Sequence, residues 1–378
     1  MSLKAVSKHL KTFIIVSLAL LIDVGCSSAP DDGVCAVADG LLYSIAQGDG
    51  FTSLTLFDPW SAGKVRSRFV LVPRGSELPD RLPEGILIRT PVERAVVYTS
   101  VHASAIEQIG AMDAICGVCE PQYLTNEAVA AAVSKGAIAN LGLSTSPDVE
   151  KIIDMGAELI IATPFENSGY GAAEKLGIPI FEASDYMEAG PLGRASWVKV
   201  LGLLFSKEAA ADSLYSAAET SYRKLKALAA GAQPRPRVLL ERKYGASWGI
   251  PQGDSYIAQM HSDAGADYVF RNLEGSGISQ YPFEKVLDEA GDADLWLFKH
   301  NTTGGGFSYA DLQNEYAPYA YFNAFKNRRI YVCNTVETPY YDDIALHPDW
   351  ILKDFIKIYH PEILPDYELK YYKPLSEQ

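Results

Sequence analysis

Along this chain the spacing of apolar and polar positions changes in blocks, and each block predicts a different kind of element. Lys4, Lys8 and Lys11 precede an apolar run from Phe13 to Ile22, after which residues 27–33 read as a polar, flexible stretch. From Leu41 to Ile88 short alternating runs appear (Leu41-Tyr43-Ile45, Phe51-Ser53-Thr55, Phe69-Val70-Leu71-Val72). They are separated by Gly48-Asp49-Gly50 and Pro79-Asp80-Arg81-Leu82-Pro83, a pattern that predicts a β-meander with turn punctuation. After Pro91 a strand–helix rhythm begins. Strands are expected over Ala95–Tyr98, Ile115–Val118, Leu159–Ala162 and Ile178–Phe181, and helices over Ser104–Ile109, Pro147–Met155 and Gly171–Leu176. From Leu192 to Ala230 there is no proline, and Trp197, Leu201, Leu204, Leu214, Ala218, Leu225 and Leu228 recur at helical intervals. Unbroken, that stretch is one helix of about 58 Å at about 1.5 Å per residue. A second series follows Pro236, with strands at Val238–Glu241, Tyr268–Phe270, Leu295–Phe298 and Ile330–Cys333 and helices at Tyr256–Met260, Phe283–Asp288 and Asp349–Tyr359. The expected fold class is therefore α/β: two Rossmann-like lobes, 91–190 and 232–378, joined by one long rigid helix over 191–231, with a β-rich N-terminal extension before them.

Composition narrows the function. With 48% hydrophobic and 21% charged residues over 378 positions the chain is globular. Its 33 Lys and Arg stand against 47 Asp and Glu, a formal net charge of −14, which excludes a broad basic face for nucleic acid. The N-terminal apolar run is too short to span a bilayer comfortably. Followed by Gly25-Cys26, it looks like a bacterial lipoprotein signal over residues 1–25, with Cys26 as the lipidated first residue and 26–90 as tether and extension. The expected location is the periplasm or cell envelope, with the membrane reached through the lipid anchor. Cys35, Cys116, Cys119 and Cys333 then remain. Cys116-Gly-Val-Cys119 has redox or zinc spacing, but it lies in an expected buried strand and lacks a second ligand pair, so small apolar core residues are the better reading, with disulfide pairing left open.

Several segments carry a resemblance: Pro91-Val-Glu-Arg-Ala-Val-Val-Tyr98, His102-Ala-Ser-Ala-Ile-Glu-Gln-Ile-Gly110, Ser146-Pro-Asp-Val-Glu150-Lys-Ile-Ile153 and Asp263-Ala-Gly-Ala-Asp-Tyr268. Their order and spacing over about residues 91 to 360 resemble the class III periplasmic solute-binding proteins of ABC importers for iron–siderophore complexes, haem and cobalamin. The resemblance implies a monomeric carrier, not an enzyme, that needs no cofactor of its own. It would hand a metal-organic ligand containing iron or cobalt to an ABC permease and its ATPase. It also implies that one exposed Glu on each lobe docks the loaded carrier onto the permease. By motif position these are Glu150, in Pro147-Asp-Val-Glu150, and Glu284, in Tyr281-Pro-Phe-Glu284. An acidic residue in a first helical turn is also simply good for the helix dipole, by about 0.3–1 kcal/mol.

In open parallel sheets ligands gather beyond the carboxyl ends of the strands. The loops there supply Ser100, His102, Tyr123, Phe165 and Tyr170 from the first lobe, and Tyr244, Trp248, His300, Tyr340 and Tyr341 from the second. Flat rings with a polar edge suit a large, partly apolar, planar or chelated ligand. A bare metal ion would instead need ligands such as His102, Glu166, His300 and Asp343 brought together from both lobes. An axial haem ligand would be sought first at Tyr123 or His102.

One enzyme reading competes. Gly245-Ala-Ser247-Trp-Gly249 matches G-x-S-x-G after an expected strand, and Asp343 and His347 follow in the chain order of α/β-hydrolases. Against it, Ile250-Pro251-Gln-Gly253 interrupts the helix that a nucleophile elbow requires. A ligand loop accounts better for these glycines.

Overall fold

The computed structural model describes residues 41–304 and 306–377. The signal segment, Cys26 and Cys35 lie outside them. The β-rich extension forms a four-stranded sheet of β1 (Tyr43–Gln47), β2 (Thr52–Phe57), β3 (Val65–Pro73) and β4 (Ile86–Thr90). The first three strands make the expected antiparallel meander, whereas β4 returns parallel to β3. The extension is not a separate appendage. Its inward residues Leu54, Leu56, Phe69, Leu71 and Ile88 share one core with the first lobe, where the Phe69 ring lies 5.4 Å from Phe181 and Tyr43 meets the edge of Trp197 at 5.3 Å. Side chains of this size contribute about 1.5–3 kcal/mol each when buried, so sheet and lobe stand or fall together. Polar bonds fix the seam: Tyr43 donates to Ser196 Oγ at 2.9 Å, and the Leu42 N–H and the Trp197 indole both donate to Glu188.

The first lobe contains β5 (Ala95–Val97), α1 (Ser100–Gln108), β6 (Ile115–Val118), β7 (Ala139–Asn140), α2 (Val149–Asp154), β8 (Leu159–Ala162) and β9 (Ile180–Glu182). Its sheet runs β9-β8-β5-β6-β7, all parallel. Its strands read as uninterrupted apolar runs because both faces are covered. The α1 helix begins earlier than the periodicity predicts, since Thr99 caps it and places Ser100 in its first turn.

The linking segment departs from the expected single rod. It is three helices: α3 (Pro191–Ala195), α4 (Trp197–Phe205) and α5 (Glu208–Ala229). Ser206 adopts the left-handed conformation at φ 52° and turns the chain back, so that α4 packs on α5. Gly202 makes that approach possible, because a Cβ there would lie 2.7 Å from the Ala211 Cβ. The apolar intervals hold on both sides of the corner, which is why periodicity alone gives no break. The bridge between lobes is the 22-residue α5, about 33 Å long. It begins in the first lobe's core through Ala211 and ends in the second lobe's core through Tyr222, Leu225 and Ala229.

The second lobe contains β10 (Arg237–Leu240), the hairpin strands β11 (Lys243–Tyr244) and β12 (Ser247–Pro251), α6 (Tyr256–Asp263), β13 (Asp267–Tyr268), β14 (Ile278–Tyr281), α7 (Phe283–Ala290), β15 (Leu295–His300), β16 (Ile330–Asn334), α8 (Tyr340–Leu346), α9 (Pro348–Tyr359) and β17 (Tyr372–Pro374). Its main sheet runs β13-β10-β15-β16-β17, with only β17 antiparallel. The four parallel strands repeat the first lobe's order β6-β5-β8-β9. One strand plan is thus used twice.

Candidate functional site: a cleft between the lobes

Two contiguous cavities, of about 1110 and 720 Å³, lie where the carboxyl ends of both sheets converge. Both are bordered by Glu241, Arg242, Tyr244, Lys299 and Tyr341, so they are halves of one cleft. Of the candidate ligand residues, Phe165, Tyr244, Tyr340 and Tyr341 line the larger half, and Ser100, Tyr123, Tyr244, His300 and Tyr341 the smaller.

Three predicted residues are elsewhere. Trp248 is fully buried; its indole donates to the Leu240 carbonyl at 3.0 Å and its ring packs on Trp296, Tyr319 and Phe322. The alternation of β12 turns it inward, away from the exposed hairpin tip. His102 is buried between Thr99 Oγ1 at 2.8 Å and Asp185 Oδ1 at 2.9 Å. Tyr170 is half-buried, donating to Glu182 at 3.0 Å with its ring against Tyr98.

The hydrolase reading fails on geometry. Gly245 occupies a two-residue hairpin turn at φ 58°, and Gly249 pairs with Gln280 across the β12–β14 ladder, where a Cβ would lie 3.2 Å from the Ile278 side chain. The glycines therefore serve a hairpin. Ser247 donates to Gln280 Oε1 at 2.8 Å. His347 is stacked on Trp350 and bonded to Gln108, while Asp343 accepts from Tyr371 and Lys370. The bare-metal set does not assemble either: His102 and Asp343 are held by the partners just named, and among the described residues no group of three or more His, Cys, Asp or Glu could hold a metal. Cys116, Cys119 and Cys333 are free thiols; burial raises all three above the usual thiol range, with Cys333 pushed up to about 11.

The sequence reading missed the cations and part of the aromatic wall. Lys299 pairs with Glu241, and although burial opposes its charge, Glu241 holds its ammonium well above the usual range. Arg242 pairs with Glu315, and its guanidinium lies 5.5 Å from the centroid of Phe307. Trp60, Tyr186 and Tyr256 also face the larger cavity, and Tyr256 lies under the Arg194 guanidinium at 4.7 Å. Arg242 and Lys299 directly follow or end predicted strands, a positional signal as good as the one that selected the tyrosines. Trp60 sits in an extension that the sequence reading kept apart from the cleft.

The lobes touch beside the cleft. Ser100 and Thr125 of the first lobe donate to Asp342 of the second at 3.2 and 2.6 Å. Burial raises the Asp342 carboxyl above its ordinary pKa, against the lowering effect of those two bonds.

A model of the periplasmic binding protein family matches residues 95–336. The chain belongs to that family. A periplasmic binding protein is a solute carrier, not an enzyme. Over 293 residues, 73% of this chain and 67% of the other, this periplasmic binding protein is 26% identical to an uncharacterized lipoprotein of Methanocaldococcus jannaschii. Its fold is shared with a periplasmic haem-binding protein from Pseudomonas aeruginosa (TM-score 0.56, 16% identity, 75% of this chain and 98% of that one). It is also shared with an ABC-type Fe3+-hydroxamate transport protein from Saccharomonospora viridis (TM-score 0.52, 16% identity, 70% and 94%). Family membership makes it the extracytoplasmic, ligand-delivering component of an ABC importer. Among the described residues no helix is long and apolar enough to cross a membrane.

Proposed function

We propose that this protein captures a metal-organic complex, an iron–siderophore first and haem or cobalamin next, and delivers it to an inner-membrane ABC permease while anchored by lipid at Cys26. The observation that carries the reading is the cleft itself. A cavity of about 1110 Å³ lined by aromatic rings from both lobes, with the carboxylate-paired Arg242 and Lys299 at its border, accepts a bulky, partly apolar or chelated guest far better than a bare ion or a small polar solute. Ser100, Tyr123, Phe165, Tyr244, His300, Tyr340 and Tyr341 are the ligand contacts of this reading, joined by Arg242 and Lys299.

Glu150 and Glu284 are the docking pair. Both are exposed, both are the second residue of a helix whose first turn follows a proline (α2 and α7), and both helices feed the topologically equivalent strands β8 and β15. Charges so placed set register and encounter rate without adding much affinity. Calorimetric titration of the purified protein against iron–siderophores, haem and corrinoids tests the reading. Saturable one-to-one binding of one class is expected, and no binding to any of them overturns it. Glu150→Ala with Glu284→Ala is expected to impair uptake by cells while leaving that affinity unchanged, and equal loss of both overturns the docking role.

A further inference from the structure

We propose that Trp60, supplied by the N-terminal extension, is a specificity-determining residue of the cleft that stacks against a flat, conjugated face of the ligand. This inference rests on the proposed function and narrows its substrate class to chelates that present such a face, whether an aromatic chelating arm or a planar macrocycle. The extension precedes the region that the family model matches, which begins at residue 95. Yet Pro59 and Trp60 line the larger cavity, together with Phe165, Tyr186 and Met187 of the first lobe. Phe165 and Tyr186 lie 6.1 Å apart between ring centroids and supply an adjoining aromatic surface. The extension is thus a third wall of the cleft.

That wall is built to stay put. The turn carrying Trp60 is closed by hydrogen bonds from Asp58 N to Lys64 O at 2.8 Å and from Lys64 N to Ser61 O at 3.0 Å. The Trp60 N–H donates to Asp58 Oδ1 at 2.9 Å, and Lys64 pairs with the same carboxylate. The Arg66 guanidinium lies 5.6 Å from the Trp60 ring centroid and forks onto Glu182 at the end of β9, which also accepts from Tyr170. One side of the indole is therefore held by a cation that is itself fixed to the first lobe. A rigid ring at a cavity wall gives contact area at little entropic cost and prefers a flat partner.

The test compares the full chain with Trp60→Ala and Trp60→Phe, titrated calorimetrically with iron protoporphyrin, an iron tris-catecholate and an iron tris-hydroxamate. Trp60→Ala is expected to weaken whichever flat-faced chelate the wild type binds by about 5- to 10-fold. Trp60→Phe is expected to keep most of the affinity. Any binding of the aliphatic hydroxamate chelate is expected to change by less than about 2-fold, a selectivity shift that a merely structural role would not give. Unchanged affinity of Trp60→Ala for the flat-faced chelate, or equal weakening of all three, overturns the role of Trp60 and leaves the proposed function standing. Wild-type binding of the hydroxamate chelate alone does the same. Wild-type protein that binds none of these three and no corrinoid overturns both.

Discussion

The two lobes share a strand order and differ in how they fill it. The first divides its apolar residues between two clusters, one on each face of its sheet, and extends one of them into the N-terminal sheet. Buried charge braces it, with Asp185 accepting from His102 at 2.9 Å and from Arg194 at 3.0 Å. The second lobe has one large cluster dominated by rings, with Trp248 and Trp296 packed on each other and both against Tyr319 and Phe322. One of its buried histidines, His261, is neutral: burial, with a smaller contribution from Lys299, holds it down at about 3. The difference shows that a repeated topology does not repeat its energetics. A buried ion pair fixes geometry but loses heavily when one partner goes, whereas an aromatic core is sensitive chiefly to lost volume.

The largest effect expected from this contrast is in the aromatic core. Trp296→Ala is expected to cost about 4 kcal/mol by the lost burial and the cavity left behind, read as a lower midpoint in chemical denaturation. Asp185→Asn comes next at about 3 kcal/mol, because Arg194 stays buried without its counter-charge. A loss below about 1 kcal/mol in either variant would break the contrast.

Acid separates the lobes further. The unfolded chain protonates His261 as pH falls through about 6.5, while the folded protein resists until about 3. Between those limits the unfolded state binds more protons, so stability falls with falling pH, by about 2 kcal/mol from pH 7 to 5 for this group. His261→Gln is expected to flatten that slope. Asp185 works in a lower window. Burial alone would raise its pKa, but the His102 bond and the Arg194 charge outweigh it and hold the carboxyl at about 2. Its contribution is present above the ordinary carboxylate range and is lost as pH falls toward 2. Mild acid is therefore expected to loosen the second lobe first, and hydrogen exchange at pH 5 showing earlier loss of protection in the first lobe would reverse that order.

The smallest effect is expected at the contact between the lobes. Asp342 has a raised pKa, the opposite of Asp185, so its ionised form is penalised in the fold. Asp342→Asn is expected to change stability by no more than about 1 kcal/mol, measured by thermal unfolding. A loss matching that of Asp185→Asn would show that the carboxylate at this junction is held as firmly as the one inside the first lobe.

Periodicity and turn residues made most of this fold legible. Eight of the ten strands in the two lobe sheets overlap the predicted apolar runs, the short β7 and the antiparallel β17 being the exceptions, and the chemistry of Pro147-Asp-Val-Glu150 and Pro282-Phe-Glu284 places both glutamates in first helical turns. What stayed hidden depends on contacts rather than local pattern. The corner at Ser206 is favoured by the close approach of Gly202 to Ala211, two positions that in isolation read as ordinary helix. Trp248 and Tyr244 are four residues apart on one hairpin, and only the strand pairing shows that the first is sealed in the core while the second is 88% exposed. His102 looked like a ligand because its partner Asp185 lies 83 residues away. Trp60 was separated from the cleft by the same blindness to long-range packing.

Native mass spectrometry of the full chain, purified gently from its own cells, tests the central claim most directly. The account predicts a single added mass per chain, carrying the isotope signature of iron or cobalt and lost on acidification together with the fold. A protein that emerges bare and stays bare when micromolar iron chelates, haem and corrinoids are added would contradict it.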